Sequence, residues 1–160
     1  MVKRTSLEGA DCPVARSLDV IGDWWSLLIV RDALDGLCRF GEFQKSLGLA
    51  KNILASRLKA LVAHGILELV PASDGSAFQE YVLTEKGRGL FYVIACLRQW
   101  GDDNFFGPGD ARTELVDRVE GQPIRKLELR SRDGRALSPE DTVVRKGAPR
   151  GSTARKSATA

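Results

Sequence analysis

Between Lys51 and Lys59 the sequence reads KNILASRLK: one side-chain amide, one hydroxyl, three cations and no acid. Wound at 100° per residue, Asn52, Ser56, Lys59 and Ala63 fall on one side of a helix and Leu54, Leu58, Leu61 and Val62 on the other. Ala60 lies beside the polar set, and Ile53 and Arg57 occupy a flank. Such a face offers hydrogen bonding rather than proton transfer. Asn52 presents a donor and an acceptor together, which matches a base edge, and a lysine or arginine reaches guanine or a phosphate. Acids here would repel phosphates, whereas Ser56, Ala60 and Ala63 are small enough to let a helix sit deep in a major groove. The first residues of a reading helix meet bases first. That selects Lys51, Asn52, Ser56 and Arg57 for bases and Lys59 for the backbone. The competing reading is an ordinary solvated face, but such faces usually mix the two signs of charge.

No comparable set supports catalysis. His64 is the single histidine, placed where a helix ends before Gly65. No GxSxG, HExxH or phosphate-cradling glycine loop occurs, and Asp102 and Asp103 read as a solvated helix end. The three cysteines, Cys12, Cys38 and Cys96, are widely spaced and form no CxxC. They suit a reducing compartment better than a disulfide framework or a zinc site. Cys96, in the apolar run YVIACL, reads as a small core residue. No enzyme, metal or cofactor is therefore expected.

Charge points the same way as the helix face. The net charge of +3 is unevenly spread: residues 145–160 carry five cations and no acid, leaving residues 1–144 at −2. Within that acidic body, Arg39, Lys45, Lys51, Arg57 and Lys59 stand against Glu42 alone between positions 39 and 64. A basic island of this kind is the footprint of a polyanion partner. The hydrophobic fraction of 43% suffices for a core. No apolar run approaches the roughly 18 residues of a membrane span, and Lys3 and Arg4 precede no signal-like segment. A soluble cytoplasmic protein without membrane contact, held at the nucleoid by DNA, is expected.

The elements that would position the face follow from spacing. A first helix starts near Cys12 with Pro13 in its first turn, and Val14, Leu18 and Ile21 recur along it. Asp23 caps a second helix, WWSLLIVRDAL, apolar nearly all round and hence central, with both tryptophans in the core. A third, short helix spans Arg39 to Leu47, with Phe40, Phe43 and Leu47 inward, and Gly48 ends it. The fourth helix lacks a capping side chain, because Ala50 stands at its start. A change of period at Ile66, Leu67 and Leu69, the turn ASDGSA and the β-prone FQEYVLT predict a hairpin. Thr84 then caps one long helix whose stripe is Leu90, Val93, Ile94, Leu97 and Trp100, regular as far as Gly101. This order is a winged helix-turn-helix, with helices three and four as the motif.

The segments CPVARSLDVIGDWWSLLIVRDALDG, RFGEFQKSLGLAKNILASRLKALVAHGILE and EYVLTEKGRGL resemble the HxlR family of bacterial winged helix-turn-helix regulators from Cys12 to about Gly101. The resemblance implies a homodimer paired through the first and last helices, which makes Val14, Leu18, Leu90, Ile94, Leu97 and Trp100 the interface. It also implies two reading helices entering successive major grooves of an inverted repeat in double-stranded DNA. Arg39 joins the DNA-binding set as part of the basic island. In certain members the cysteine at the position of Cys12 is a redox switch, and thiols at helix starts are those that gain reactivity. Two departures stand out: the wing loop from Pro71 to Ala77 has no cation but carries Asp74, and Ala50 replaces a capping serine.

The whole chain is thus expected to be mainly helical with a β-hairpin wing. It divides into an arm at 1–11, the winged helix at 12–107, a small β-rich extension at 108–144 and a disordered basic tail at 145–160. The extension holds neither cysteine nor histidine, so it cannot hold zinc as the comparable segment with paired cysteines does in some relatives, where it looks like a zinc ribbon. The expected function is sequence-specific transcriptional regulation, with repression ahead of activation. Control would come from Cys12 oxidation or from a small effector seated near Leu90, Phe91, Ile94 and Trp100. A winged-helix module for protein contact is the alternative.

Overall fold

The computed structural model describes residues 6–146. Residues 1–5 of the arm and 147–160 of the basic tail lie outside the described residues. The chain divides into two compact units, with the boundary in the sequence between Leu115 and Val116.

The first unit contains α1 (Pro13–Ile21), α2 (Trp24–Leu34), α3 (Phe40–Leu47), α4 (Lys51–Ala63), β1 (Leu67–Pro71), β2 (Gln79–Leu83), α5 (Glu85–Arg88) and α6 (Phe91–Phe105). Helix α2 is central and touches α1, α3, α4, α6 and β2. It starts where the Asp23 carboxylate accepts the backbone N–H of Ser26 at 3.1 Å, a side-chain cap for an otherwise orphan donor. Ile29 and Val30 of α2, Phe43 of α3, Leu54, Leu58 and Leu61 of α4, and Ile66 and Leu67 at the hairpin form one buried cluster. Each such side chain contributes about 1.5–3 kcal/mol by leaving water. Phe43 meets Tyr81 edge to face, with ring centroids 6.4 Å apart. Gly48 ends α3 at φ +64°, a left-handed conformation that side chains resist. That reversal sets α4 across α3.

The strands pair antiparallel, with Leu67 opposite Leu83 and Leu69 opposite Tyr81. Beyond the ladder, the Tyr81 N–H donates to the Cys38 carbonyl at 2.7 Å, which ties the wing to the start of the helix-turn-helix. Phe78 lies outside both strands and is exposed.

Four expectations need correction. The long helix is two helices. Thr84 caps only α5, accepting from the Gly87 N–H at 3.0 Å, and α6 begins after Gly89 and Leu90. The reason is contact: Gly87 packs on the carbonyl of Ile66, and two glycines within three residues loosen the helix there. Helix α6 then continues through Gly101 to Phe105, so Asp102 and Asp103 lie inside it. Trp24 is not core. It is 72% exposed, because the turn that packs Trp25 on the core points its neighbour outward. Cys96 is exposed for the same reason, next to buried Ala95.

The fourth correction concerns the extension, which is not β-rich. The second unit holds two isolated bridges, Val116 with Pro123 and Arg130 with Ala136, and one 3-10 turn at Pro139–Asp141. Leu127 and Leu129 alternate as a strand would, but both stay exposed, and pairing beside them is limited to the Arg130–Ala136 bridge with the Leu137 N–H donating to the Leu129 carbonyl at 2.9 Å. The turn expected at residues 132–135 does form: the Ser131 N–H donates to the Arg135 carbonyl at 2.9 Å, and Gly134 takes φ +88°. Residues 108–115 belong with the first unit, where Arg98 Nη1 of α6 donates to the carbonyl and hydroxyl of Thr113 at 3.0 and 2.7 Å.

Candidate nucleic-acid interface

Helix α4 presents its face as its periodicity requires. Leu54, Leu58 and Leu61 are buried, while Lys51, Asn52, Ser56, Lys59 and Ala63 are exposed. Ala50 offers no side-chain cap. The first backbone N–H groups of α4 are therefore left without a side-chain acceptor, at the end of the helix where anions are favoured. Lys51 and Asn52 stand in that first turn.

Arg57 sits differently from its neighbours. It is half-buried, and its Nε lies 3.3 Å from Asp23 Oδ1 at ion-pair distance but outside hydrogen-bond geometry. Asp23 is also the cap of α2, so one carboxylate starts the central helix and holds the flank of α4. Sequence spacing places Arg57 on the flank of α4. It does not reveal a counter-ion 34 positions away.

Arg39 is more strongly engaged. Its Nη2 donates to Asp74 Oδ2 in the wing loop at 2.6 Å and to Glu80 Oε1 on β2 at 3.2 Å. Glu80 is buried and also accepts from the Ser73 hydroxyl at 3.2 Å. The acid that makes the wing look hostile to DNA is thus the partner of an arginine at the start of α3. The Arg39 guanidinium, with the Ser76 N–H after it, holds the Asp74 carboxyl far below the usual carboxylate range. Asp74 in turn raises Arg39 above its ordinary value. Because the Asp74 value is depressed, the clamp is complete above about pH 4, where a free aspartate titrates, and weakens only as acid protonates it below that. Asp74→Asn is expected to release one Arg39 contact toward phosphate. The plot of log affinity against log salt on nonspecific duplex should then steepen by about one unit. An unchanged slope would mean that Glu80 alone keeps Arg39 occupied.

Two neighbouring groups complete the turn before α3. Glu42 accepts the backbone N–H groups of Cys38 and Arg39, each at 2.9 Å, and these bonds lower its pKa, the Cys38 bond first. Burial, followed by the Glu80 and Glu42 carboxylates, pushes the Cys38 thiol up, which keeps it a thiol and a poor nucleophile. Cys12 is exposed at the start of α1.

The expected interface residues separate into two groups. Leu90 and Ile94 pack against the chain's own core. Val14 and Leu18 on α1 and Leu97 and Trp100 on α6 are exposed, at 65, 47, 46 and 58%. Tyr92 and Val93 add to the outward apolar face of α6.

A three-helix core, a glycine-turned α3–α4 pair and a two-stranded wing define a winged helix-turn-helix protein. The chain matches the HxlR-like helix-turn-helix model over residues 20–107 and belongs to that family. The uncharacterised HTH-type transcriptional regulator Rv3095 of Mycobacterium tuberculosis is 42% identical over 112 residues, which cover 70% of this chain. The match spans 64% of the length of that relative. The solved structure of PA1607, a transcription-factor candidate, superposes with a TM-score of 0.85 at 59% identity, over 89% of this chain and 100% of that one. The redox regulator HypR in its oxidised form superposes with a TM-score of 0.54 at 33% identity, over 60% of this chain and all of that one. No helix among the described residues is long and apolar enough to cross a membrane.

Proposed function

We propose that this protein is a homodimeric transcriptional regulator that reads an inverted-repeat operator through α4, with repression as its output. The observation that carries this reading is the exposed, acid-free face of Lys51, Asn52, Ser56 and Lys59 on the second helix of a helix-turn-helix. Asn52 and Ser56 face bases, and Lys51 and Lys59 face phosphates. Arg57 and Arg39 act mainly by holding α4 and the wing in place, because each has carboxylate partners within the chain. The exposed apolar faces of α1 and α6 suit pairing with a second copy: patches of this kind on a soluble chain mark interaction surfaces.

The test is a mobility-shift titration on DNA upstream of the protein's own gene and its neighbours, with competitor DNA at physiological salt. Wild type should give a discrete, competitor-resistant complex that Asn52→Ala loses. Equal and weak retention of both proteins would favour the protein-contact module instead.

The likeness to HypR supports a thiol signal at Cys12, which is exposed and stands at the start of a helix that exposes Val14 and Leu18. Oxidation there would add polar bulk beside the proposed dimer face. Oxidant should change operator retention of wild type but not of Cys12→Ser. A response that persists in the serine variant would remove Cys12 from the mechanism.

A further inference from the structure

Between α2 and α6 lies a groove of about 480 Å³ that the DNA-reading face does not use. Its walls are apolar: Trp24, Leu27 and Leu28 from α2, Ile94 and Leu97 from α6, and Phe106 just beyond it. Of the residues expected from sequence near an effector, only Ile94 borders it. Trp24, which the fold leaves outside the core, forms part of one wall.

The edge of the groove is cationic. Arg31, Arg98 and Arg112 line it, against the single carboxylate of Asp102. Arg31 commits Nε and Nη2 to Asp32 Oδ1, at 2.9 and 2.6 Å. Arg98 commits Nη1 to Thr113. The Arg112 Nε stands 4.0 Å from Asp102 Oδ1, at the limit of an ion pair. A guanidinium has five N–H donors in a fork, so each arginine retains donors. Three guanidiniums against Asp102 and Asp32 leave one net positive charge at the rim.

We propose that this groove binds a small amphipathic organic anion, with a flat apolar body against Trp24 and a carboxylate in the fork of Arg98 and Arg112. Volume and lining fit: ligand clefts of this size are mostly apolar, with a few polar groups that orient the ligand, and arginine pairs with carboxylate bidentately. The site also has a route to the reading helix. Trp24 follows Asp23 directly, and Asp23 both caps α2 and pairs with Arg57 of α4. A ligand seated on Trp24 therefore lies one residue from the contact that holds α4. This regulatory step rests on the DNA-reading function proposed above, whereas the binding step does not.

Calorimetry on the full chain, without DNA, tests binding with 1-naphthoate as probe and 1-naphthalenemethanol as its neutral counterpart. Saturable binding of naphthoate is expected at one site per chain. The alcohol should bind about tenfold or more weakly, since a hydrogen bond to a charged group is lost. Arg98→Gln and Arg112→Gln should each reduce naphthoate binding by a similar factor while the far-ultraviolet circular dichroism of the fold is retained. Equal binding of alcohol and acid, or indifference to both substitutions, would overturn the proposal. So would absence of binding in a wild-type dimer that Trp24→Glu dissociates, because the groove would then seat the second copy. In the mobility-shift assay, naphthoate should alter retention of wild type and not of Arg98→Gln. Loss of that response with calorimetric binding intact overturns the coupling alone.

Discussion

Asn52→Ala is expected to lower affinity for the operator by about 1–3 kcal/mol, between about fivefold and about 150-fold, and to relax discrimination at one base position. The reason lies in the amide. On an exposed first turn of α4, Asn52 holds a donor and an acceptor that, in the proposed complex, would pair with a single base edge, and alanine would leave that edge unpaired away from water. Binding to nonspecific duplex should barely change, because that binding is phosphate electrostatics. Lys51→Ala and Lys59→Ala should do the opposite: both should weaken all sequences alike and lower the salt slope by about one each. A titration series of operator and scrambled duplexes over several salt concentrations separates the two kinds of effect. If Asn52→Ala weakened every duplex equally, the base-reading role would pass to another residue of the face.

Gly87→Ala is expected to be the most damaging single-methyl change in the fold. A Cβ at position 87 would stand 2.1 Å from the Ile66 carbonyl oxygen and 2.9 Å from a Leu83 methyl. The leucine methyl can move, but the carbonyl cannot. It is backbone at the entry to β1 and accepts the Thr84 N–H at 3.1 Å. The Thr84 hydroxyl holds the adjacent Gly65 carbonyl at 2.6 Å. Displacing it opens the joint between hairpin and α5. The cost is about 3 kcal/mol or more, at the upper end for overpacking, and for a chain of this size that is a fall of about 6–12 °C in Tm. Gly101→Ala is the control. Its Cβ would meet nothing within 4 Å, inside α6, so it should stabilise by about 0.5–1 kcal/mol through helix propensity alone. Thermal unfolding of both variants decides. A mild effect at position 87 would mean that the α5 joint yields.

The amino-acid sequence by itself determined which residues α4 turns outward. One helical period separates Leu54, Leu58 and Leu61 from Asn52, Ser56 and Lys59, and nothing distant can change which side of a helix a residue occupies. The helix starts at Pro13 and Asp23, the stop at Gly48 and the hairpin turn were legible for the same reason: each is a contact between residues a few positions apart. Only the tertiary structure decided where charges are satisfied. Arg39 reads as one cation of a basic island until the hairpin brings Asp74 and Glu80 to it, 35 and 41 positions along. Asp74 then ceases to be a repulsive charge and becomes a clamp. The break at Gly87 and Gly89 was half legible: two close glycines weaken a helix locally, but the packing of Gly87 on the Ile66 carbonyl belongs to the fold. The extension failed in the other direction. Its alternation at Leu127 and Leu129 is real, but the ladder there goes no further than one bridge, Arg130 with Ala136, and the length of a ladder is a property of the fold rather than of the segment.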